Sequence, residues 1–250
     1  MEHLSPLMRY IPDPIIEACL KMKKPFKVSH ITGIKSPYAE AEGWFIGCPL
    51  TAKQMVELPE EFVMDRIIES GKVAQELGAK IVGLGAFTSI DGDSGITVAK
   101  NLDIAVTSGN SYTVATAIQG TKQAARMMGK DLNECRAVVG GATGSIGAAS
   151  VRLLAKEVKH ITLVARHMGP LEELAQELIE QNHCEVAVSQ DIRTSLQEAD
   201  IVITVTSALD FLIEPGDLKP GAVVCDVARP RNVSREVSLQ RNDVLVIVGG

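Results

Sequence analysis

Short runs of aliphatic and β-branched residues recur through the second half of the chain. The runs have the length of buried strands, and the stretches between them have the length of helices, with apolar residues spaced to form one face. This alternation predicts a parallel sheet whose strands are joined by right-handed helical crossovers. The six apolar runs are residues 137–140, 161–165, 185–188, 201–205, 222–226 and 244–248.

Helices are predicted between the early runs, over residues 145–158 and 170–181. Their apolar faces are expected to carry the leucines Leu153, Leu154, Leu171, Leu174 and Leu178. Six runs in this rhythm predict a doubly wound sheet of strand order 3-2-1-4-5-6, the Rossmann arrangement. Ligands of such sheets bind beyond the carboxyl ends of the strands, so candidate residues are sought there.

The first half of the chain has a less regular pattern. A short helix carrying Met55 is predicted to begin near Thr51, after Pro49. The pattern also predicts three strands, over residues 27–32, 79–85 and 104–107, and two longer helices, over 59–77 and 111–128. The predicted fold class is α/β: a Rossmann-type doubly wound parallel sheet in residues 113–250, preceded by a smaller α/β substrate-handling domain in residues 1–112.

Composition narrows the class of protein. The chain has 250 residues, of which 46% are hydrophobic and 22% charged, and its formal net charge of −6 gives no electrostatic basis for binding nucleic acid. Its apolar stretches are too short to span a membrane, and residues 1–6 lack a signal-peptide pattern, so a cytoplasmic location is expected. Enzymes of this architecture are often dimers, so a homo-oligomer is compatible with the sequence.

Cysteine and histidine spacing indicates neither a disulfide framework nor a metal site. The cysteines number five, are scattered, and include no C-x-x-C pair. The histidines show no spacing typical of metal ligands. No metal is therefore expected, and most of the cysteines are expected to be small core residues.

A glycine-rich turn follows the first apolar run of the second half. Gly141, Gly144 and Gly147 are spaced G-x-x-G-x-x-G at the junction of a predicted strand and helix. Glycines here let backbone N–H groups approach a pyrophosphate, and the helix N-terminus favours its negative charge. The sequence therefore predicts a dinucleotide site whose residues are Gly141, Ala142, Thr143, Gly144, Ser145 and Ile146.

The next strand end bears on the choice of cofactor. Proteins that bind NAD usually carry an Asp or Glu there, which binds the ribose 2′-hydroxyl. This chain has Arg166 followed by His167, and a guanidinium can pair bidentately with a 2′-phosphate. NADP (NADPH) is therefore the predicted cofactor. Thr206 and Ser207, after the fourth run, are expected either to lie near the nicotinamide ribose or to cap the next turn.

Further candidates are scattered along the chain. Cys48 lies in a Gly-Cys-Pro turn where a thiol can be exposed, and Lys53 is a candidate proton donor or a surface lysine. Ser89 belongs to a segment that either covers the substrate or forms an ordinary turn. Asn110 faces the substrate or caps its own helix. Arg229 is a candidate for holding an anionic substrate, with solvation beside a rigid turn as the alternative.

Several longer runs resemble those of long-chain fatty acyl-[acyl carrier protein] reductases, and the resemblance extends from about Val28 to the end of the chain. The matching runs are residues 85–90, 107–113, 138–147 and 162–166, in the same order and at similar spacing. A broader similarity links the chain to shikimate dehydrogenase-like and amino acid dehydrogenase-like proteins, which share the two-domain order.

The narrower resemblance implies an NADPH-dependent reductase that converts an acyl thioester, free or bound to an acyl carrier, to an aldehyde. Such enzymes use a cysteine nucleophile beyond the last nucleotide-domain strand, past a Gly-Gly pair like Gly249-Gly250, where this sequence ends. Cys48 is then the thiol to test as a replacement. Two alternatives stay open: a dehydrogenase of a small polar acid, in which Lys53 would supply the proton, and a nucleotide-sensing protein without turnover.

Overall fold

The computed structural model describes residues 12–85, 88, 95–181, 184–206, 212–228 and 231–249. The chain folds as two compact units, the first ending at Gly109 and the second beginning at Asn110. Each unit has an apolar core of its own. The division into two units does not test the substrate-handling and nucleotide-binding roles expected of the two halves, so those roles stay predictions.

The first unit combines two small sheets with short and long helices. β1 and β2 form an antiparallel hairpin, whereas β3 and β4 pair in parallel. In chain order its elements are α1 (Asp13–Met22), β1 (Phe26–Lys35), β2 (Glu40–Gly47), α2 (Ala52–Glu57), α3 (Glu60–Glu76), β3 (Ile81–Gly83), α4 (Ile96–Lys100) and β4 (Ala105–Thr107). The sequence pattern did not predict α1, β2 or α4.

Local signals account for the two helices that the sequence did predict in this unit. Thr51 accepts a hydrogen bond from the backbone of Gln54, whose side chain accepts one from Thr51, so α2 begins with a capping box. α3 buries one face, which includes Val63 and Ile67, against Met55 of α2. The resulting core is small, because β1 exposes nearly all of its residues and β2 has no fully buried one.

The second unit contains a helix, α5, followed by alternating strands and helices. Its elements are α5 (Asn110–Met127), β5 (Arg136–Gly140), α6 (Ser145–Leu154), β6 (His160–Val164), α7 (Met168–Gln181), β7 (Glu185–Ser189), α8 (Ile192–Leu196), β8 (Ile201–Thr204), β9 (Val223–Asp226), α9 (Arg235–Gln240) and β10 (Leu245–Val248). All six predicted strands are present. Their spatial order, β10-β9-β8-β5-β6-β7, confirms the predicted 3-2-1-4-5-6 arrangement.

Helices cover both faces of this sheet. Val139 and Ile203 point into a core shared with α5, α6 and α7, whereas Val138 and Val202 point into a second core with α8 and α9. Strands buried on both faces read as continuous apolar runs, which explains why the pattern located them so well. The fold class is therefore α/β with a Rossmann-like parallel sheet.

Three details of the predicted helices were wrong. The helix expected over 145–158 ends at Leu154, and the one expected from residue 170 begins at Met168. Leu153 was expected on the apolar face but is 43% exposed, while its neighbour Leu154 is 1% exposed. Adjacent helical residues differ by about 100° around the axis, so the two leucines could not both face the sheet. None of the described helices is long and apolar enough to cross a membrane.

Candidate functional site

The glycine turn lies where β5 gives way to α6, at the carboxyl edge of the large sheet. The backbone N–H groups of Gly141 and Ala142 donate to the carbonyl oxygen of Val164, at 2.8 and 3.0 Å. Val164 is the last residue of β6, so these bonds fasten the turn to the neighbouring strand end. The chain reverses through Gly141 with φ +79°, a conformation that favours glycine.

Two glycines are required by close backbone packing. A Cβ atom on Gly147 would lie 2.1 Å from the carbonyl oxygen of Gly141, so α6 could not approach the turn with any larger residue there. A Cβ on Gly141 would lie 3.0 Å from the backbone nitrogen of Thr206. The turn is therefore pressed against both its own helix and the segment that follows β8. This is the close approach that the glycine spacing predicted.

The N-terminus of α6 presents free backbone donors beside this turn. Its N-cap residue, Gly144, supplies no side-chain hydrogen bond. The first N–H groups of a helix have no acceptor within it, and those of Ser145 and Ile146 belong to this set. Thr143, Gly144 and Ser145 are exposed, so a ligand can reach them. The positive end of the helix thus faces an accessible concave turn, which suits a phosphate group.

Asn110 lies beside the same helix N-terminus. Its side-chain Nδ2 donates to Ser145 Oγ at 2.8 Å, linking the first residue of α5 to the first residue of α6. The sequence left open whether Asn110 faces the substrate or caps its own helix, and both roles stay predictions beside the bond to Ser145. The bond orients the Ser145 hydroxyl at the turn.

Arg166 lies two residues beyond Val164, the residue that anchors the turn. It is exposed, and among the described residues no hydrogen bond or ion pair involves its guanidinium. Its backbone is held, because the Nε2 atom of Gln190 donates to the Arg166 carbonyl oxygen at 2.6 Å. His167 is exposed as well. An anchored backbone with an unpaired cation at the end of β6 can receive an anion.

A buried polar cluster that the sequence analysis missed lies at the ends of β8 and β9. The carboxylate of Asp226, 1% exposed, accepts backbone N–H bonds from Ala228, Asn232 and Val233 at 3.0–3.1 Å. The hydroxyl of Thr204 donates to Oδ1 of Asn232 at 2.8 Å. Together these bonds fix the loop that follows β9. The sequence signal was a single acid directly after an apolar run.

The remaining candidates of this edge are only partly described. Thr206 is half-buried and lies against Gly141, as noted above. Ser207, Arg229 and Ser89 lie outside the described residues, so their predicted roles stay predictions. Arg231 is exposed at the loop that Asp226 holds.

The first unit contains a cavity of about 1000 Å³. Apolar side chains from β2, α2, α3 and the end of β3 contribute most of its wall, among them Trp44, Ile46, Leu50, Met55, Ile67 and Leu84. Cavities of several hundred cubic ångströms with apolar walls are the usual size and character of small-molecule sites. The sequence analysis did not foresee this cavity, because the strand β2 that borders it was not predicted.

The two catalytic candidates of the first unit differ in setting. Cys48 lines the cavity, and burial raises the pKa of its thiol, with hydrogen bonding to Ser70 acting in the opposite direction. Less thiolate is therefore present near neutral pH than at an exposed cysteine. Lys53 is 61% exposed, with its Nζ atom 3.8 Å from Glu17 and 4.0 Å from Glu57. It has the character of a surface lysine. Among the residues that the structure describes, no group of His, Cys, Asp or Glu is arranged to hold a metal ion.

Comparison with known proteins relates the second unit to dehydrogenases. Residues 122–248 match the family model for shikimate / quinate 5-dehydrogenase. The solved shikimate 5-dehydrogenase of Listeria monocytogenes, in complex with shikimate and NAD, superposes with a TM-score of 0.42 at 18% identity, over 53% of this chain and 52% of that one.

Two curated relatives extend the similarity into the first unit. The aminotransferase PigE of a Serratia species is 31% identical over 226 residues, which are 90% of this chain and 26% of that protein. The long-chain acyl-[acyl-carrier-protein] reductase of Synechococcus elongatus is 29% identical over 202 residues, or 74% of this chain and 55% of that protein. The chain thus spans about a quarter of the first relative and about half of the second. The resemblance to acyl reductases is confirmed at the level of sequence.

Proposed function

The chain belongs to the shikimate / quinate 5-dehydrogenase family, and from that premise we propose that it is an NADP-dependent reductase converting long-chain acyl thioesters to aldehydes. The family match, the acyl reductase relative and the fold are those of NAD(P)-dependent oxidoreductases, and they support that general class of enzyme. The observation that carries the substrate class is the apolar cavity of the first unit. Each buried methylene of an alkyl chain contributes about 0.8 kcal/mol, so such a wall favours long chains.

The glycine turn fits a dinucleotide. Glycine at positions 141 and 147 lets the turn pack against α6 and against the segment after β8, which is the tight turn that a pyrophosphate-binding loop requires. The unpaired N–H groups at the start of α6 would donate to its oxygens. Ser145, held by Asn110, would add a hydroxyl. When bound, the reduced nicotinamide supplies a hydride.

Arg166 supports NADP in preference to NAD. The guanidinium would pair with the 2′-phosphate through charge-assisted hydrogen bonds, and Gln190 would keep its backbone in place for that contact. A carboxylate in that position would instead repel the phosphate. His167 would lie beside the same group.

The proposed reaction reduces the acyl carbon by two electrons. A hydride adds to that carbon, the carbon–sulfur bond breaks, and the sulfur leaves as a thiol after taking one proton. An acyl-enzyme route would need a thiolate, and the raised pKa of Cys48 disfavours that role for it at neutral pH. Cys48 then serves as part of the apolar wall. The proposal is also compatible with a nucleophile beyond residue 250, which is where the acyl-[acyl carrier protein] reductases are expected to carry their cysteine.

A small polar acid is the less favoured substrate. Such a ligand requires several converging cations and hydroxyls, whereas the cavity has one cation, Lys80, and two hydroxyls, Ser70 and Thr88, in a wall that is mainly aliphatic and aromatic. Lys53, the proton donor of that alternative, lies between two glutamates at the surface. A nucleotide sensor without turnover would bind the cofactor but show no selectivity for acyl chain length.

The proposal is tested by titrating the chain with dodecanoyl-CoA and with acetyl-CoA. Oxidation of NADPH is monitored through its absorbance at 340 nm. We expect the long chain to bind at least tenfold more tightly. Ser70→Phe should remove that preference, because Ser70 lines the cavity and a phenyl ring would fill part of it. The matched control is Ser111→Phe, at an exposed position of α5. Equal binding of the two thioesters would exclude a long-chain substrate, and binding of NADPH but of neither thioester would favour the sensor.

A further inference from the structure

The cavity of the first unit is bordered by the edges of two strands as well as by side chains from strand faces, such as Ile31 and Trp44. Residues 40–46, which include most of β2, line it without interruption, and so do residues 78–85, which include β3. Side chains of a strand alternate between its two faces, so a cavity against a face would be lined by every second residue. Consecutive residues are reached together when the ligand space lies along the edge of a strand.

The free edge of β3 can be identified from its hydrogen bonds. The carbonyl of Lys80 accepts from Ala105, and the N–H of Leu84 donates to Thr107, so the even-numbered residues face β4. Peptide groups in a strand alternate in direction, which turns those of Ile81 and Gly83 away from β4. Both residues line the cavity.

The outer edge of β2 follows the same logic. At the hairpin turn, Ser36 N–H donates to the carbonyl of Ala39. Alternation then directs the peptide groups of Glu40, Glu42 and Trp44 away from β1. Within the part of the chain that the structure describes, β2 pairs only with β1 and β3 only with β4. Both outward rows of donors and acceptors therefore border the cavity.

Resting on the proposed function, we propose that these two edges bind the pantetheine arm of the thioester substrate. The arm is an extended chain in which two amides are separated by short methylene links, and it ends at the thioester sulfur. Its amides can exchange hydrogen bonds with the open edges as an added strand would. The apolar wall at Leu50, Met55 and Ile67 then receives the alkyl chain beyond the sulfur.

The charges at the edge are compatible with this neutral arm. Glu40 pairs with Lys35 at 2.8 Å, and Glu42 lies 3.3 Å from His30, so both acids of β2 have partners on β1. The inner wall is dominated by apolar side chains, which would leave the backbone edges as the main source of polar contacts. A neutral arm with two amides can pair with these backbone groups and needs no charged partner.

The test compares three dodecanoyl thioesters whose thiol parts carry two amides, one amide and none: pantetheine, N-acetylcysteamine and ethanethiol. Binding to the whole chain is measured by calorimetry in the presence of NADP⁺, which fills the cofactor site but supplies no hydride. A net hydrogen bond corresponds to about a 2- to 12-fold change in affinity, so we expect a stepwise loss of that size as each amide is removed. Equal affinities for the three thioesters would overturn the inference while leaving the long-chain substrate intact.

A variant separates the edge from the cavity volume. Gly83→Pro removes an outward N–H without removing a bond to β4, a position where an edge strand tolerates proline. We expect weaker binding of the pantetheine thioester by 2- to 12-fold, with the ethanethiol thioester unchanged, which also shows that the fold is intact.

The matched control is Gly83→Ala, whose Cβ would meet only Thr107, at 4.0 Å, and which keeps the N–H. It should bind all three thioesters as the wild type does. If Gly83→Pro weakened all three equally, or if an extended peptide competed while the arm made no difference, the edges would not be an arm site. If none of the thioesters bound while NADP⁺ did, the proposed substrate class itself would be wrong.

Discussion

The two units of this chain are both built from strands and helices, but they differ in how completely their strands are covered. The sheet of the second unit is buried on both faces, and its central strands β5, β8 and β9 are almost entirely inaccessible. In the part of the first unit that the structure describes, both sheets are two-stranded, no residue of the hairpin is fully buried, and there is a cavity of about 1000 Å³. In the second unit, helices cover both faces of the sheet, so the candidate site lies at the carboxyl edge of the strands. In the first unit, uncovered strand edges border a cavity that can hold a ligand.

The difference separates two requirements of the proposed reaction. The cofactor is the same in every turnover, and a rigid turn held by backbone bonds suits it. A long alkyl chain needs volume and apolar surface rather than fixed geometry. We therefore expect substitutions in the tightly packed second unit to have larger effects on binding and stability than substitutions around the cavity of the first unit.

The largest effect is expected at the most tightly packed point of the second unit. In Gly147→Ala, the new Cβ would clash with the Gly141 carbonyl oxygen at 2.1 Å, so the turn or α6 must shift. We expect NADPH binding to weaken at least 100-fold and the free energy of unfolding to fall by about 3 kcal/mol. Calorimetry and urea denaturation measure the two. Gly169→Ala in α7, where a Cβ meets nothing within 4 Å, is the control and should change neither. Unaltered NADPH binding in Gly147→Ala would show that the turn is not the cofactor site.

A second pair of variants compares the two cores directly. Leu154→Ala removes a side chain that is 1% exposed in the core of the second unit and should lower the free energy of unfolding by about 2–5 kcal/mol. Met55→Ala removes one that is 8% exposed but borders the existing cavity, so less new empty space is created and we expect less than about 2 kcal/mol. Chemical denaturation of both variants measures the difference. Equal losses would contradict the view that the first unit is the more open one.

A third variant tests whether Arg166 selects NADPH over NADH. Arg166→Asp replaces the unpaired cation after β6 with a carboxylate, which would repel a 2′-phosphate. We expect NADPH affinity to fall about 10- to 100-fold and NADH affinity to stay within about twofold. Arg235→Asp, at an exposed position of α9, controls for the change in net charge. A similar loss for NADH, or for the control, would remove Arg166 from the recognition of the phosphate.

The smallest effect concerns two thiols, one in each unit. Burial raises the pKa of both Cys48 and Cys225, so both have less thiolate at neutral pH than an exposed cysteine. As the pH rises above the ordinary thiol range, Cys48 should become alkylated because it lines a cavity, whereas Cys225, 0% exposed, should stay protected. Iodoacetamide labelling of the folded protein against pH, with each site quantified by mass spectrometry, measures this. The exposed Cys19 is the reference. Rapid alkylation of Cys48 at neutral pH would instead restore it as a candidate nucleophile.

Much of the second unit could be predicted from the sequence. Its strands appear as continuous apolar runs because helices cover both faces, and Gly141 and Gly147 mark places where the backbone needs a positive φ or close approach. Strand order followed from the rhythm of strands and helices, since right-handed crossovers leave few alternatives. The first unit was harder. No residue of β2 is fully buried, and its partly exposed residues do not alternate with exposed ones, so the strand shows no regular pattern of core and surface positions.

The sequence by itself determined the fold class, the strand order of the large sheet and the position of the glycine turn. These depend on local apolar patterns and on backbone conformations that only glycine adopts readily. Tertiary structure alone decided which side chains meet across long separations. Gln190 holds the backbone of Arg166, and Asp226 collects three N–H groups from the loop after β9. The cavity likewise arises only when β2, α3 and β3 are brought together, because no local pattern records the space left between elements.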